Sequence, residues 1–138
     1  MKSILYLLLT IFFIPFIVLT GCSERKTDNA AKAYKFWTGT HPPTDVKVIA
    51  GSFWESAHWS KEYIVYLELQ TTKQWRKKFV SDNKLKKSNG GENIPSDAPK
   101  WFKPGRNCIA WKSPDDDQGS VYYIDSLTGK MFIYEIQL

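Results

Sequence analysis

Apolar and polar residues alternate along several segments of the chain, and this period of two predicts β-strands. The clearest segment is 62–69, Glu-Tyr-Ile-Val-Tyr-Leu-Glu-Leu, in which the odd-numbered positions form one apolar face. Most of its residues are β-branched or aromatic, and such side chains suit a pleated sheet. The same alternation predicts further strands at 46–50, 107–112, 120–124 and 130–137.

Two segments instead carry apolar residues three or four positions apart, which is the spacing of one helix face. Residues 71–83 give the clearer helix, because a threonine is available as N-cap and Trp75 and Phe79 are four apart. Residues 30–37 predict a shorter helix, which the glycine and two prolines of 38–43 end.

These elements follow one another as helix, two strands, helix and three strands, with short connections between neighbouring strands. We therefore predict an α+β fold, in which an antiparallel sheet of about five strands carries one or two helices on one face. The single globular domain covers residues 31–138. Residues 88–100 are rich in turn-forming types and predict a surface loop, whose end Trp101 and Phe102 pin to the domain.

The amino-terminal residues differ from the rest because they are almost purely apolar. Lys2 gives a positive start, and 4–19 is a run of 16 residues interrupted only by Thr10 and Pro15. A helix needs about 20 residues to cross the bilayer core, and a proline removes a backbone donor within the run. A short charged start, an apolar middle and a small-residue exit are typical of an export signal.

The exit of this run, Leu19-Thr20-Gly21-Cys22, resembles the lipobox of bacterial prolipoproteins, and the resemblance covers residues 1–22. It implies cleavage between Gly21 and Cys22, a diacylglyceryl thioether on Cys22 and, in many bacteria, acylation of the new amine. Ser23 stands where the family's inner-membrane retention signal would be Asp. That implies the periplasmic face of the outer membrane, or the cell membrane in an organism with one membrane. An ordinary secretory signal or a short membrane anchor with a chance cysteine is the alternative.

Cleavage there makes residues 1–21 a signal peptide and residues 22–30 a lipidated polar tether. The 117 residues that remain carry 18 basic and 14 acidic side chains, a formal charge of +4, and suffice for one domain. If Cys22 carries lipid, Cys108 is the only other thiol and no internal disulfide can form. Cys108 lies in an alternating segment without a nearby base, so we expect a small core residue rather than a nucleophile.

Basic residues crowd one segment of the chain. Residues 71–90 have a local charge of +6, since Asp82 alone opposes seven basic residues: Lys73, Arg76, Lys77, Lys78, Lys84, Lys86 and Lys87. We expect Arg76 and Lys77 to face water, and we take Arg76, Lys77 and Lys78 as candidates for contact with anionic lipid, an acidic protein or a polyanionic envelope component. A solvated helix face is the alternative. The export signal argues against nucleic acid as the partner.

A second candidate contact surface is the aromatic set around Trp54, Trp59 and Trp101. With Phe102 and Trp111, these residues exceed what a small core needs. Tryptophan is enriched at the energetic centres of protein interfaces. A domain of this size can also bury several aromatic side chains as packing mass. The sequence leaves both roles open.

Candidate catalytic and metal-binding residues are few. Glu55, His58 and Glu62 have the spacing of one helix face, but they bracket a predicted strand–loop–strand and so predict no metal site. Glu55 and Asp97 would have to meet in space to act as paired carboxylates. The aspartates 115–117 do not alternate as calcium ligands do, and they predict a solvated hairpin turn. We therefore expect no enzyme, no metal and no cofactor.

The leading hypothesis is an envelope lipoprotein, held to the membrane through Cys22, that binds an envelope partner without catalysis. One alternative is an immunity or inhibitor lipoprotein that neutralises a periplasmic toxin or hydrolase, for which residues 88–100 would supply a rigid protruding loop. Another is an envelope hydrolase, which requires a cleft with converging polar groups.

Overall fold

An antiparallel sheet and two helices organise the residues that the computed structural model describes, 23–90 and 92–138. In chain order the elements are β1 (Arg25–Thr27), α1 (Ala30–Thr38), β2 (Val46–Glu55), β3 (Tyr63–Thr71), α2 (Lys73–Asp82), β4 (Lys86–Lys87), β5 (Ile109–Lys112), β6 (Val121–Ile124) and β7 (Lys130–Gln137). None of the helices in these residues is long and apolar enough to cross a membrane. The apolar run and Cys22 lie outside the described residues.

The strands stand side by side in the order β1-β2-β3-β7-β6-β5-β4, with every neighbouring pair antiparallel. At the centre, β3 pairs with β7 from Tyr63 opposite Gln137 to Gln70 opposite Lys130. The predicted antiparallel sheet is confirmed, but about five strands is wrong, since the described residues form seven. The additional strands β1 and β4 have three and two residues of polar type, so no apolar alternation reveals them.

Residues 25–27 form β1, where the sequence predicts part of a tether. They pair with the end of β2, and the Arg25 guanidinium donates to both carboxylate oxygens of Glu55 at 2.8 and 2.5 Å. The indole N–H of Trp54 donates to Glu24 at 2.6 Å. Polar side chains therefore attach this strand, which is why hydrophobic patterning misses it. The chain is bound to the domain from Glu24 onward.

Both helices begin at a capping side chain. Asn29 accepts a hydrogen bond of 3.0 Å from the first turn of α1, and Gly39 ends that helix in the left-handed conformation with a φ of 76°. Thr72 accepts a bond of 3.2 Å from the first turn of α2. The predicted helix 71–83 starts later than expected, because Thr71 still belongs to β3.

One face of the sheet, which we call the helix face, is covered by α1 and α2 and holds a largely aliphatic core. α1 lies so close to β2 that a Cβ on Gly51 would stand 2.9 Å from the Cβ of Ala33, so only glycine fits there. The largest fully buried side chains of the described residues belong to this core: Phe53, Val65, Leu67, Leu69, Met131 and Ile133. Burying each of them contributes about 1.5–3 kcal/mol.

The opposite face, which we call the loop face, is covered by the irregular segment 92–108. Phe102 is only 2% exposed, so the expected pinning of this segment to the domain is confirmed. Cys108 packs half-buried against the same cluster, as expected for a small core residue. The centroid of the Phe102 ring lies 5.1 to 6.2 Å from the centroids of three rings of the sheet: Tyr66, Tyr123 and Phe132.

The two ends of the sheet carry different connections. At the hairpin end lie Ser23 and the β2–β3 connection 56–62, because Arg25 pairs with Glu55. At the turn end lie the β6–β7 turn 125–129 and the start of α2, because the N–H of Thr71 donates to Gly129 at 3.0 Å. β3 runs between them, and its nine residues span roughly 30 Å at about 3.3 Å each.

Candidate binding site: a basic groove beside helix α2

A groove of about 440 Å³ lies on the helix face between α2 and the strands β5 and β6. Its floor is apolar and consists of Val80 from α2, Trp111 from β5 and Ile124 from β6. Its rim is polar and mostly basic, with Lys73, Arg76, Lys77, Ser81 and Ser126. An apolar floor with a few polar groups at the rim is typical of a ligand-binding cleft.

The groove follows from the way α2 packs. The rings of Trp75 and Phe79 are stacked, with their centroids 5.1 Å apart. The Phe79 ring also contacts Tyr122 of the sheet and Trp37 of α1, at centroid distances of 5.4 and 6.2 Å. This stripe holds α2 against α1. A second row of α2 side chains, spaced three and four residues apart between Lys73 and Val80, faces the part of β5 and β6 that no helix covers.

The rim carries free positive charge. Lys73 and Lys77 are exposed, and within residues 23–90 and 92–138 neither forms an ion pair. Lys87 of β4 places its Nζ 5.7 Å from the ring centroid of Trp111, a cation–π distance. Ammonium groups thus stand around an apolar floor. This arrangement suits a ligand that is both anionic and apolar.

Arg76 is buried, so the prediction that it faces water is wrong. It is 9% exposed, and Nη1 donates to the main-chain oxygen of Thr71 at 2.6 Å and to its hydroxyl at 3.2 Å. Hydrogen bonds from Thr128 and the turn backbone, together with the Arg76 charge, lower the pKa of the Asp125 carboxyl. Helix spacing places Arg76 beside Lys77, but the β6–β7 turn packs over it. Its guanidinium therefore joins α2 to the end of β3 beneath that turn.

Lys78 is exposed, but its ammonium group bonds to Asp82 one turn later at 2.6 Å. Lys78 is not among the residues that line the groove. Of the three predicted basic contact residues, only Lys77 offers an unpaired charge to the groove. Lys73, from the same basic segment, is its partner on the rim.

The three predicted tryptophans do not form one surface. Trp54 is half-buried on β2, where its indole N–H is bonded to Glu24. Trp59 is 97% exposed in the β2–β3 connection. Trp101 is half-buried on the loop face, with its ring 6.0 Å from Phe102. Each tryptophan therefore needs its own explanation.

The segment 92–108 lies along the loop face instead of projecting from it. Asp97 accepts a hydrogen bond from the Tyr66 hydroxyl at 3.2 Å, and Glu92 forms an ion pair with Lys112 at 2.9 Å. The described part of the predicted surface loop is therefore held to the sheet by polar contacts as well as by Phe102.

The candidate carboxylate pair is divided by the sheet. Glu55 lies beside Phe53 on the helix face and is bonded to Arg25, whereas Asp97 lies on the loop face. In the part of the chain that the structure describes, no three His, Cys, Asp or Glu residues come close enough to hold a metal ion. Burial raises the pKa of the Cys108 thiol, which disfavours the thiolate that a nucleophile requires.

Glu135 is a carboxylate that the sequence analysis did not single out. Its two oxygens accept hydrogen bonds from the hydroxyls of Tyr63 and Tyr122, the latter at 2.7 Å. Burial, strengthened by the Glu135 charge and hydrogen bonds, raises the pKa of both tyrosines, so they stay protonated donors. This network joins β3, β6 and β7 on the helix face.

Sequence reasoning found only part of the floor of the groove. Trp111 was among the aromatic residues in excess of a small core, but Val80 and Ile124 have patterns that mark them only as core positions. The sequence feature that could have indicated the groove is the row of basic residues that begins at Lys73. This row lies on the side of α2 that borders β5 and β6, which no helix covers there.

Comparison with protein-family models, curated proteins and solved structures finds no match for this chain. The chemistry of the groove is therefore the basis on which a binding function can be argued. Its outstanding features are the apolar floor and the free ammonium groups of Lys73 and Lys77.

Proposed function

We propose that this protein is a lipid-anchored envelope lipoprotein, facing the periplasm, whose groove binds an acidic segment of a partner protein without catalysing a reaction. The observation that carries the proposal is the pairing of an apolar floor with the free charges of Lys73 and Lys77. The lipobox-like sequence that ends at Cys22 supports the location.

The positive charge beside the groove indicates that its partner is acidic. Residues 71–90 carry a local charge of +6, while the rest of the chain from residue 22 sums to −2. A partner with carboxylates at the rim and an apolar side chain on Trp111 would use both properties of the groove. Tryptophan in a half-buried site is also a frequent centre of binding energy.

The position of the groove favours a protein over the lipid leaflet that holds the anchor. The groove includes Ser126 and Lys73, from the turn end, whereas Ser23, next to the proposed lipid, is at the hairpin end. The length of β3, roughly 30 Å, separates the two ends. Screening over a Debye length of about 8–10 Å weakens any attraction to head groups at that distance.

Co-purification from envelope membranes tests the proposal. The lipidated protein is recovered after mild crosslinking, and bound proteins are identified by mass spectrometry for the natural chain and for the variant Lys73→Glu/Lys77→Glu. We expect the reversal to reduce recovery of the acidic partner about tenfold, which corresponds to about 1.4 kcal/mol of binding free energy.

A matched control reverses the same number of charges elsewhere. Lys32 and Lys35 are exposed on α1 and do not line the groove, so Lys32→Glu/Lys35→Glu should retain the partner. If both variants and the natural chain recover equal amounts of the partner, the proposal that the groove binds it is wrong. Equal loss in both variants shows that net charge, rather than this site, attracts the partner.

The lipid anchor has an independent test. Mass spectrometry of the protein from membranes should find diacylglyceryl on an amino-terminal Cys22, and Cys22→Ser should release the domain from membranes. An unmodified thiol at that position would overturn the envelope assignment.

No observation on the described residues favours the inhibitor alternative in particular, because the segment that would have protruded lies along the loop face. The same co-purification would reveal that class as one stoichiometric toxin or hydrolase.

A further inference from the structure

The link between the proposed lipid and the folded domain is very short. β1 is paired to β2, and the Glu24 carboxylate accepts the Trp54 indole N–H at 2.6 Å. Only Ser23 separates Glu24 from Cys22. Two residues of chain reach at most about 7 Å. A domain attached in this way cannot stand far from the leaflet that holds its anchor.

The hairpin end of the sheet is the part of the domain nearest to that attachment. Arg25 lies opposite Glu55, so the β2–β3 connection 56–62 continues past the point at which the chain enters the fold. The N–H of Lys61 donates to His58 at 3.1 Å, and the N–H of Ser56 donates to Glu62 at 2.8 Å. These bonds make the tip an ordered turn.

Trp59 is held at this tip and points into solvent. Among the large apolar side chains that the structure describes, it is the most exposed, at 97%. It borders a hollow that Phe36, Phe53 and Tyr63 also line, yet its indole remains exposed to water. An indole fully exposed to water on an ordered turn has no explanation in the packing of the domain.

We propose that the tip of the β2–β3 hairpin, with Trp59 at its apex, inserts into the membrane–water interface beside the lipid on Cys22 and fixes the orientation of the domain on the leaflet. The proposal rests on the proposed lipid anchor. Tryptophan is enriched at this depth of the bilayer, because its ring is apolar while its N–H can bond to head groups. Lys61 on the same turn supplies a charge that suits anionic head groups. In this orientation the turn end, where Lys73 and Ser126 of the groove lie, is the end of the domain farther from the membrane.

Fluorescence depth measurement tests the contact. The lipidated chain carries the environment-sensitive NBD dye on Ser60→Cys, beside an intact Trp59, in a Cys108→Ala background. The control carries the dye on Leu127→Cys, which is 86% exposed in the β6–β7 turn at the opposite end. Both are reconstituted into vesicles of phosphatidylethanolamine and phosphatidylglycerol that contain a doxyl-labelled lipid quencher. We expect a blue shift and several-fold stronger quenching at position 60 than at position 127.

A second variant isolates the role of the indole. Trp59→Ser in the chain labelled at position 60 should lower the quenching several-fold while the protein still floats with the vesicles. Unchanged quenching would show that Trp59 does not hold the tip in the interface.

The outcomes separate the two proposals. Protein that floats with the vesicles but is quenched equally at positions 60 and 127 overturns the hairpin contact and leaves the anchor standing. Protein that lacks lipid on Cys22 by mass spectrometry and fails to float overturns both.

Discussion

The helix face and the loop face of the sheet are covered in different ways. On the helix face, two capped helices, which satisfy most of their own backbone hydrogen bonds, bury aliphatic side chains such as Leu67 and Ile133. On the loop face, the segment 92–108 is irregular, and its bonds from Phe102 N–H to Pro99 and from Cys108 N–H to Gly105 are local turns. Aromatic rings around Phe102 supply its attachment.

Both faces bury apolar side chains, but the loss of a buried side chain should affect the stability of the domain differently on each face. A helix transmits a packing defect along its length because it is rigid, and α1 lies close against β2. An irregular segment held by one aromatic cluster and a few polar contacts can open while the sheet remains folded. The first two predictions below test this difference. The third tests how α2 is attached on the helix face, the fourth concerns a connection outside both faces, and all four are given in order of decreasing effect.

Leu67→Ala should destabilise the domain most. Leu67 is fully buried in the central strand β3 on the helix face, and its truncation leaves a cavity that rigid helices cannot fill. We expect the free energy of unfolding to fall by about 4 kcal/mol, measured by urea titration with an unchanged m-value. The matched control is Leu127→Ala, 86% exposed, which should cost less than about 0.5 kcal/mol. A loss below about 1 kcal/mol for Leu67→Ala would mean that the helix face repacks freely.

Phe102→Ala should cost less, about 3 kcal/mol, although the deleted side chain is larger. The reason is that segment 92–108 can leave the loop face instead of preserving a cavity. Amide hydrogen exchange should accelerate selectively in this segment, while the amides of β3 and β7 remain protected. Uniform acceleration across the sheet would contradict the distinction between the two faces.

Gly129→Ala should loosen the attachment of α2 to the sheet. Gly129 has a φ of 78°, and a Cβ there would lie 2.8 Å from the Thr71 oxygen and 2.9 Å from Arg76 Nη1. We expect a loss of about 2 kcal/mol in urea titration, from backbone strain and this collision. Gly119→Ala is the comparison, because its φ of 102° brings strain but its Cβ would meet no atom within 4 Å. If both variants lose the same stability, the collision at Gly129 adds nothing to the backbone strain.

Asp116→Asn should have the smallest effect, because Asp116 serves the β5–β6 connection and neither face. Burial alone would raise its pKa, but hydrogen bonds from Ser120, Gln118 and Gly119 lower it below the usual 3.8. A lowered folded pKa stabilises the fold above the unfolded pKa of about 3.9, and this contribution disappears as the pH falls through the folded pKa. The difference in Tm between the natural chain and Asp116→Asn should therefore be largest near neutral pH and vanish in acid. Asp117→Asn, which removes an exposed charge from the neighbouring position, is the control for the change in net charge.

The candidate site was only partly predictable. The basic segment was visible as a charge imbalance, and Lys77 is exposed as the helix spacing suggested. The same spacing made Arg76 seem equally exposed, because nothing in the residues around it announces a turn that comes about fifty positions later and covers it. Trp111 was among the aromatic residues in excess of a small core, but its place on the floor of a groove depends on where α2 packs on the sheet.

The sequence by itself determined the two helices, the five longer strands and the α+β class, because helix and strand periodicity depend on backbone geometry within a few residues. Tertiary structure alone decided that Arg25–Thr27 joins the sheet, that Arg76 is buried and that a groove stays open beside α2. Each of these depends on a contact between residues far apart in the chain, and local periodicity carries no information about such contacts.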